Sequence, residues 1–360
     1  MNFLVANSTI FFFPIFLINY KRDLDALGVF LLLAELVSYV AAAVLTVQGS
    51  RIIVQTRVFH PNMNTCLACF LMQWFEGLAG KMMVVPYQKG WVQLPGNDDS
   101  RSYSEFYSTS SSEMPTISSL WACPQFVVGA FLVTHNVTVS VMAITGLTVE
   151  RSFATYLIND YETRQRPEIH RFILISLQVS GLLVAFLAVP MILPVHAWLA
   201  LGILLVVVTS SGYTYIWYQN VRVHHILDTS LVLPSKYTLQ ARFQAKENVR
   251  SLDFTKCIVC FVMACIFLEA VFLCVQTPDL LGDLEVPLFY LLDFSNTAHP
   301  IAVVPIILLS VPTWRRRLAE QYSFVPGVRR FILKRKVLKV RTTSQQETEQ
   351  YFDQFKKAWA

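Results

Sequence analysis

The sequence predicts an all-α membrane protein: a bundle of seven transmembrane helices with its amino terminus outside. Three observations predict it. The 360 residues are 54% hydrophobic and 15% charged, with positive mean hydropathy, a composition that excludes an ordinary soluble domain. Seven apolar segments, 26–47, 66–85, 124–149, 172–193, 197–218, 257–275 and 286–311, are of the length, roughly 20 residues, that a helix needs to cross hydrocarbon. No alternating strand pattern accompanies them, and a backbone in lipid must pair its own polar groups, so a helical bundle is expected rather than a barrel.

Lysine and arginine set the orientation, because they accumulate on the cytoplasmic side. With the amino terminus outside, the outer connections hold four (Lys21, Arg22, Lys89, Arg101). The inner connections then hold twelve before the tail is counted, and residues 312–360 hold twelve more.

Residues 1–25 carry the apolar run IFFFPIFLI, but Pro14 divides it and no cationic region precedes it, so it reads as an extracellular or interfacial segment, not as a span or a signal. Asn7, in the sequon Asn7-Ser8-Thr9, is a glycosylation candidate, whereas the sequon at Asn136 falls inside a span. Between spans two and three lies a Ser-rich outer loop, and between spans four and five only PVHAW, so the outer mouth lacks a long second-loop lid unless the Ser-rich loop covers it. Cys123 and Cys274, both near the outer face, are a candidate pair.

On the inner side, the third loop sets Arg242, Lys246 and Arg250 at i, i+4 and i+8. That spacing puts three cations on one face of a helix running into span six. The face is either a solvated basic stripe or a contact surface for a cytoplasmic partner. Residues 312–360 form a cytoplasmic basic tail, in which Trp314, Leu318 and Tyr322 recur every fourth position, as do Tyr351, Phe355 and Trp359 at its end. These are amphipathic helices with attraction to anionic inner-leaflet lipids, worth about 1 kcal/mol per cation near the surface.

Ionisable groups at membrane depth are functional candidates by default. Here they are Glu35, Glu76, Lys81, Glu269 and Asp293, with His135 and His299. Span three offers Asn136 and Ser140 at i, i+4, span seven offers Ser295, Asn296 and His299, and Glu76 lies at similar depth. An internal polar network joining them is expected, either purely structural or able to hold water, a proton or, at Glu76, a sodium ion; no other metal and no cofactor is expected. Span three closes on Glu150-Arg151. Arg151 lies 11 residues past Ser140, about 20° away on the wheel at roughly 100° per residue, so pair and network share a face. Glu150 is expected to restrain Arg151 only by a bent, releasable contact at the water boundary; snorkelling of Arg151 to the headgroups is the competing explanation.

Three long stretches, ERSFATYLINDYE after span three, YTLQARFQAKENVRSL before span six and HPIAVVPIILLSVPTWRR at the end of span seven, resemble those of the nematode serpentine chemoreceptors of class epsilon, the Sre family. The resemblance implies a seven-transmembrane G-protein-coupled receptor of the plasma membrane, in the ciliary membrane of a sensory neuron. By more distant similarity to rhodopsin-like receptors, Glu150-Arg151 stands where their acid-arginine pair meets the G protein, and Pro300 resembles the proline of their seventh helix, with His299 in place of the usual Asn. Glu76, Asn136, Ser140 and Asn296 fall where those receptors build a sodium site. Span six has neither Trp nor Pro.

The expected function is therefore a receptor that binds a small-molecule ligand from outside and activates a heterotrimeric G protein inside. Glu150, Arg151, Arg242, Lys246 and Arg250 are the coupling candidates. Phe126, Val133, Trp198, Glu269, Phe272, Tyr290 and Asp293, in the outer halves of the spans, are the pocket candidates. The alternative is a proton- or ion-coupled transporter using the intramembrane carboxylates, for which an internal repeat is expected and none is apparent. No HExxH, GxSxG or P-loop pattern occurs, so no enzyme is expected, nor a nucleic-acid partner.

Overall fold

The computed structural model describes residues 1–6, 8–18, 26–56, 58–97, 101–103, 107–108, 110–158, 161, 166–229, 239–276 and 285–322. The chain divides into two compact units, Met1–Ile306 and Ile307–Ala360.

The first unit opens with two short strands, β1 (Asn2–Val5) and β2 (Thr9–Phe12), paired antiparallel with Asn2 opposite Phe12. A third, β3 (Thr116–Ile117), joins β1 in parallel from the Ser-rich loop, giving the order β2-β1-β3. Phe and Ile suit a half-buried pleated surface, and Pro14 ends the hairpin run. Phe3, Phe12 and Phe13 are buried within the protein. Phe3 and Phe13 close on Phe126 with ring centroids 5.3 and 5.7 Å away, and Phe12 N donates to Val189 O at 2.9 Å. The amino-terminal segment is therefore a lid folded over one end of the bundle, where pairing in a sheet satisfies its backbone while the bundle covers its phenylalanines. The Ser-rich loop shares that lid.

Ten helices follow among the described residues: α1 (Ala26–Thr56), α2 (Pro61–Met72), α3 (Trp74–Gln88), α4 (Pro124–Tyr156), α5 (Pro167–Ala188), α6 (Val195–Thr229), α7 (Leu239–Gln276), α8 (Glu285–Ala298), α9 (Pro300–Ser310) and α10 (Pro312–Gln321). Several start on a proline, whose missing N–H is one of the unpaired donors of a first turn in any case. The protein is a mostly helical multi-pass membrane protein. Among the described residues α1, α4, α5, α6 and α7 are each long and apolar enough to cross a membrane, and α8 with α9, bent by 45°, make a sixth when the pair is counted as one span. The segment predicted as the second span falls on α2 and α3, which are broken at Gln73 and carry Glu76 and Lys81.

Both breaks have a physical cause. At α8–α9, Pro300 has no N–H for the carbonyl of Asn296, and the His299 ring takes its place, Nδ1 standing 2.9 Å from that oxygen. At α2–α3, Glu76 N bonds Gln73 O three residues back, a tightened turn, and Gln73 turns its amide to other helices. Helix α4 is the hub, packed against α2, α3, α5, α6 and α7. The cationic loop helix is continuous with span six in α7, as its spacing predicts. Cys123, capping α4, is a free, buried thiol; the side chain of Cys274 lies outside the described residues.

In the second unit, α10 buries Trp314 and Leu318 on one face and exposes Arg316 and Arg317, which pair with Glu320 at 3.2 and 3.6 Å. The later amphipathic pattern at Tyr351, Phe355 and Trp359 lies outside the described residues.

Candidate functional site

Three polar constellations stand in the first unit. The innermost is built on the last turns of α4. Arg151 grips Glu150 with two bonds, Nε to Oε2 at 2.5 Å and Nη2 to Oε1 at 2.7 Å. The remaining arm, Nη1, donates to Ser251 Oγ on α7 at 2.5 Å. Glu150 is 0% and Arg151 3% exposed. The pair is thus neither a loose contact at the water boundary nor a snorkelling arginine; two-point guanidinium–carboxylate geometry holds it inside the protein.

Neighbouring elements close around it. The Tyr161 hydroxyl donates to Glu150 Oε1 at 2.6 Å and accepts from Asn62 Nδ2 at 3.2 Å, and Asn62 Oδ1 meets the His170 ring at 2.8 Å. Burial, together with the Glu150 charge, pushes the Tyr161 phenol far above its usual range, so it stays a donor. His60 lies against the Tyr161 ring, centroids 4.1 Å apart, and burial lowers its pKa to about 4. On the α7 side, Asn248 Nδ2 bonds Ala154 O at 3.2 Å and Asn220 Oδ1 at 3.1 Å, and Asn220 reaches Thr155 at 2.8 Å. One buried hub therefore ties α2, α4, α5, α6 and α7.

The cations predicted alongside the pair face the other way. Lys246 is exposed, and Arg250 pairs with Glu247 at 3.4 Å and lies over Phe59 at 5.7 Å. The side chain of Arg242 lies outside the described residues. What the sequence reading missed is the second stripe of the same helix, Gln244, Asn248, Ser251 and Thr255, all buried. Its i, i+4, i+7, i+11 spacing was visible beside the cationic row.

The expected network of Glu76 with Asn136, Ser140 and span seven divides in two. Glu76 turns towards α4 and α5: it meets His135 Nδ1 at 2.6 Å and accepts from Gln73, whose Oε1 accepts from Gln178 at 2.8 Å. Ser140 enters none of these bonds, and Ser295 is exposed, bonded to Leu292 O at 2.9 Å. His299 serves its own kink. Among the described residues the Glu76 carboxylate faces an imidazole and an amide donor, not a ring of oxygens. Among the described residues no cluster of three or more His, Cys, Asp or Glu suits a metal ion.

Asn136 belongs to the third constellation, a cavity of about 210 Å³ between α3, α4, α6 and α8, with Pro14 and Phe16 of the lid at its edge. Val133, Trp198 and Asp293 of the predicted pocket residues line it, together with Asn136, Asn296 and Lys81. Lys81 is ion-paired with Asp293 and donates to Gln88 Oε1 at 2.7 Å. Two predicted pocket residues lie elsewhere. Phe126 is sealed under the lid, and Tyr290 stands below Lys89, whose Nζ is 4.8 Å from its ring centre. Glu269 and Phe272 have side chains outside the described residues, as does Asn7 entirely.

A family model for the Sre G protein-coupled chemoreceptor matches residues 1–360. Among similar proteins, serpentine receptor class epsilon-38 of Caenorhabditis elegans is 27% identical over 368 residues, covering 97% of each chain. Serpentine receptor class epsilon-45 of the same organism is 27% identical over 388 residues and covers 100% of both. Class epsilon-37 is 26% identical, with 99% of each covered. The match along the whole chain leads to one conclusion: the chain belongs to the Sre family of seven-transmembrane, G protein-coupled chemoreceptors.

Proposed function

We propose that this receptor takes a small chemical ligand from outside into the cavity beneath its amino-terminal lid and, in response, opens its inner face to a heterotrimeric G protein. Its place is the plasma membrane of a chemosensory cilium, where the arginine face of α10 meets anionic lipid. The buried Arg151 bridge from α4 to α7 carries this reading. A guanidinium this deeply buried cannot contact a partner, so the bridge defines a closed packing, and letting go of Ser251 frees both the arginine and the α7 helix that presents Lys246 and Arg250. A ligand produces that change only by binding one packing better than the other. Val133 and Asn136 on the cavity wall belong to the same helix as Arg151, which gives the two ends a rigid connection.

The intramembrane carboxylates give a transporter less support, since Glu76 and Asp293 are each occupied by a basic partner. The test is G-protein activation by a panel of small odorants, comparing wild type with Arg151→Ala. Loss of signalling with surface expression and ligand binding retained is the expected result; unchanged signalling returns Arg151 to a structural role.

A further inference from the structure

The cavity carries more information than its existence. Its walls are mainly hydrocarbon and aromatic, with Phe16, Trp198, Val133, Val141 and Leu292 among them. At about 210 Å³ it exceeds the roughly 150 Å³ that accommodates benzene in an apolar protein cavity, so a ring of that size plus a short substituent fits.

Its charges cancel. Among the described lining residues the ionisable ones are Lys81 and Asp293, paired with each other, and Gln88 occupies a further Lys81 hydrogen. A charged ligand therefore finds no free counter-charge and would have to leave water for an apolar site, which is strongly unfavourable. Asn136 is different. It is 7% exposed, lines the cavity, and its Oδ1 takes no hydrogen bond among the described residues. A buried amide oxygen without a partner is unusual and points to a missing donor.

Building on the reading of this cavity as the ligand site, we propose that it selects small, uncharged molecules with an apolar body and one hydroxyl-like polar group. Asn136 meets that group, and because Lys81 and Asp293 neutralise each other the apolar site offers no free charge to an ion. A hydroxyl donates and accepts, so it suits the amide in either orientation.

The test is equilibrium binding to purified receptor without G protein, using benzyl alcohol, toluene, benzoate and benzylammonium. Benzyl alcohol binds best to wild type and the two ions do not bind. Asn136→Val weakens benzyl alcohol about five- to tenfold, the range of one hydrogen bond, and leaves toluene unchanged. Asp293→Asn frees the lysine and admits benzoate; Lys81→Met frees the acid and admits benzylammonium. The double variant Lys81→Met/Asp293→Leu, which leaves no lone charge, keeps the alcohol and admits neither ion. Wild type that takes benzoate or benzylammonium as tightly as the alcohol overturns the proposal, as do folded Asp293→Asn and Lys81→Met variants with unaltered selectivity. Wild type that binds none of the four overturns it too and removes the cavity as ligand site. Binding in the expected order without G-protein activation leaves the selectivity intact and sinks only the coupling.

Discussion

Arg151 and Ser251 meet across 2.5 Å inside the bundle, joining the end of α4 to α7 through a bond from a charged donor to a neutral hydroxyl. Bonds of this kind contribute about 1.5–3 kcal/mol. In the proposed mechanism the contact belongs to the closed packing, so its removal shifts the balance towards the open one. Ser251→Ala should therefore raise ligand-free G-protein activation, by about tenfold for a loss of roughly 1.4 kcal/mol. Basal signalling equal to wild type at equal surface expression would mean that the bridge does not hold the receptor closed.

Tyr161 is the second restraint on the pair. Its hydroxyl bonds Glu150 at 2.6 Å and receives Asn62 at 3.2 Å. Tyr161→Phe keeps the ring against His60 but strips one donor from a carboxylate that is 0% exposed. A loss of about 1–3 kcal/mol is expected for a buried acceptor left short of a partner. Thermal unfolding of the solubilised receptor should move down by several degrees. A Tm unchanged from wild type would show that water or another side chain replaces the hydroxyl.

His60 makes the inner hub sensitive to acid. Its imidazole is held neutral in the folded protein by burial, with a pKa of about 4 against an ordinary value of 6.5. Between those values the unfolded chain binds the extra proton and the folded one does not, so stability rises with pH across this window. It is fully present above about pH 6.5 and declines as the pH falls towards 4. His60 also caps α2 by accepting from Asn62 N at 3.3 Å. Asparagine can cap in its place without titrating. His60→Asn should thus flatten the acid limb of a Tm-against-pH curve; an unaltered slope would assign that limb to other groups.

The bundle was legible because apolar runs of span length admit few other folds, and the proline at the head of α4 marked its start. Lengths were less so: α6 runs on to Thr229, beyond the apolar stretch ending at 218, since hydropathy reports lipid depth and polar turns stay helical past it. The position of Arg151 was legible from Glu150-Arg151 closing span three, but not its burial, which depends on Ser251 a hundred residues away. Glu76 was the clearest misreading. Glu76 was joined to Asn136 by depth along the spans, and depth does not give direction: Glu76 faces His135, and Asn136 is left to the cavity. The pairing of Lys81 with Asp293 could not be read from either span alone.

Helix α3 packs against α4 through glycines on both. A Cβ on Gly80 would stand 2.7 Å from the Gly129 carbonyl oxygen, and one on Gly129 would stand 2.6 Å from Met83 Cβ. Small residues allow such backbone approach in membranes, where packing itself holds helices together. Gly129→Ala must push the helices apart, and overpacking of this sort typically costs about 1–3 kcal/mol. Gly212 on α6 has nothing within 4 Å of the same added atom, so Gly212→Ala gains the intrinsic helix preference of alanine, about 0.8–1 kcal/mol, without a clash. The two substitutions are chemically identical and should have opposite signs in Tm and surface expression. Equal effects at both positions would show that close approach is not what fixes α3 on α4.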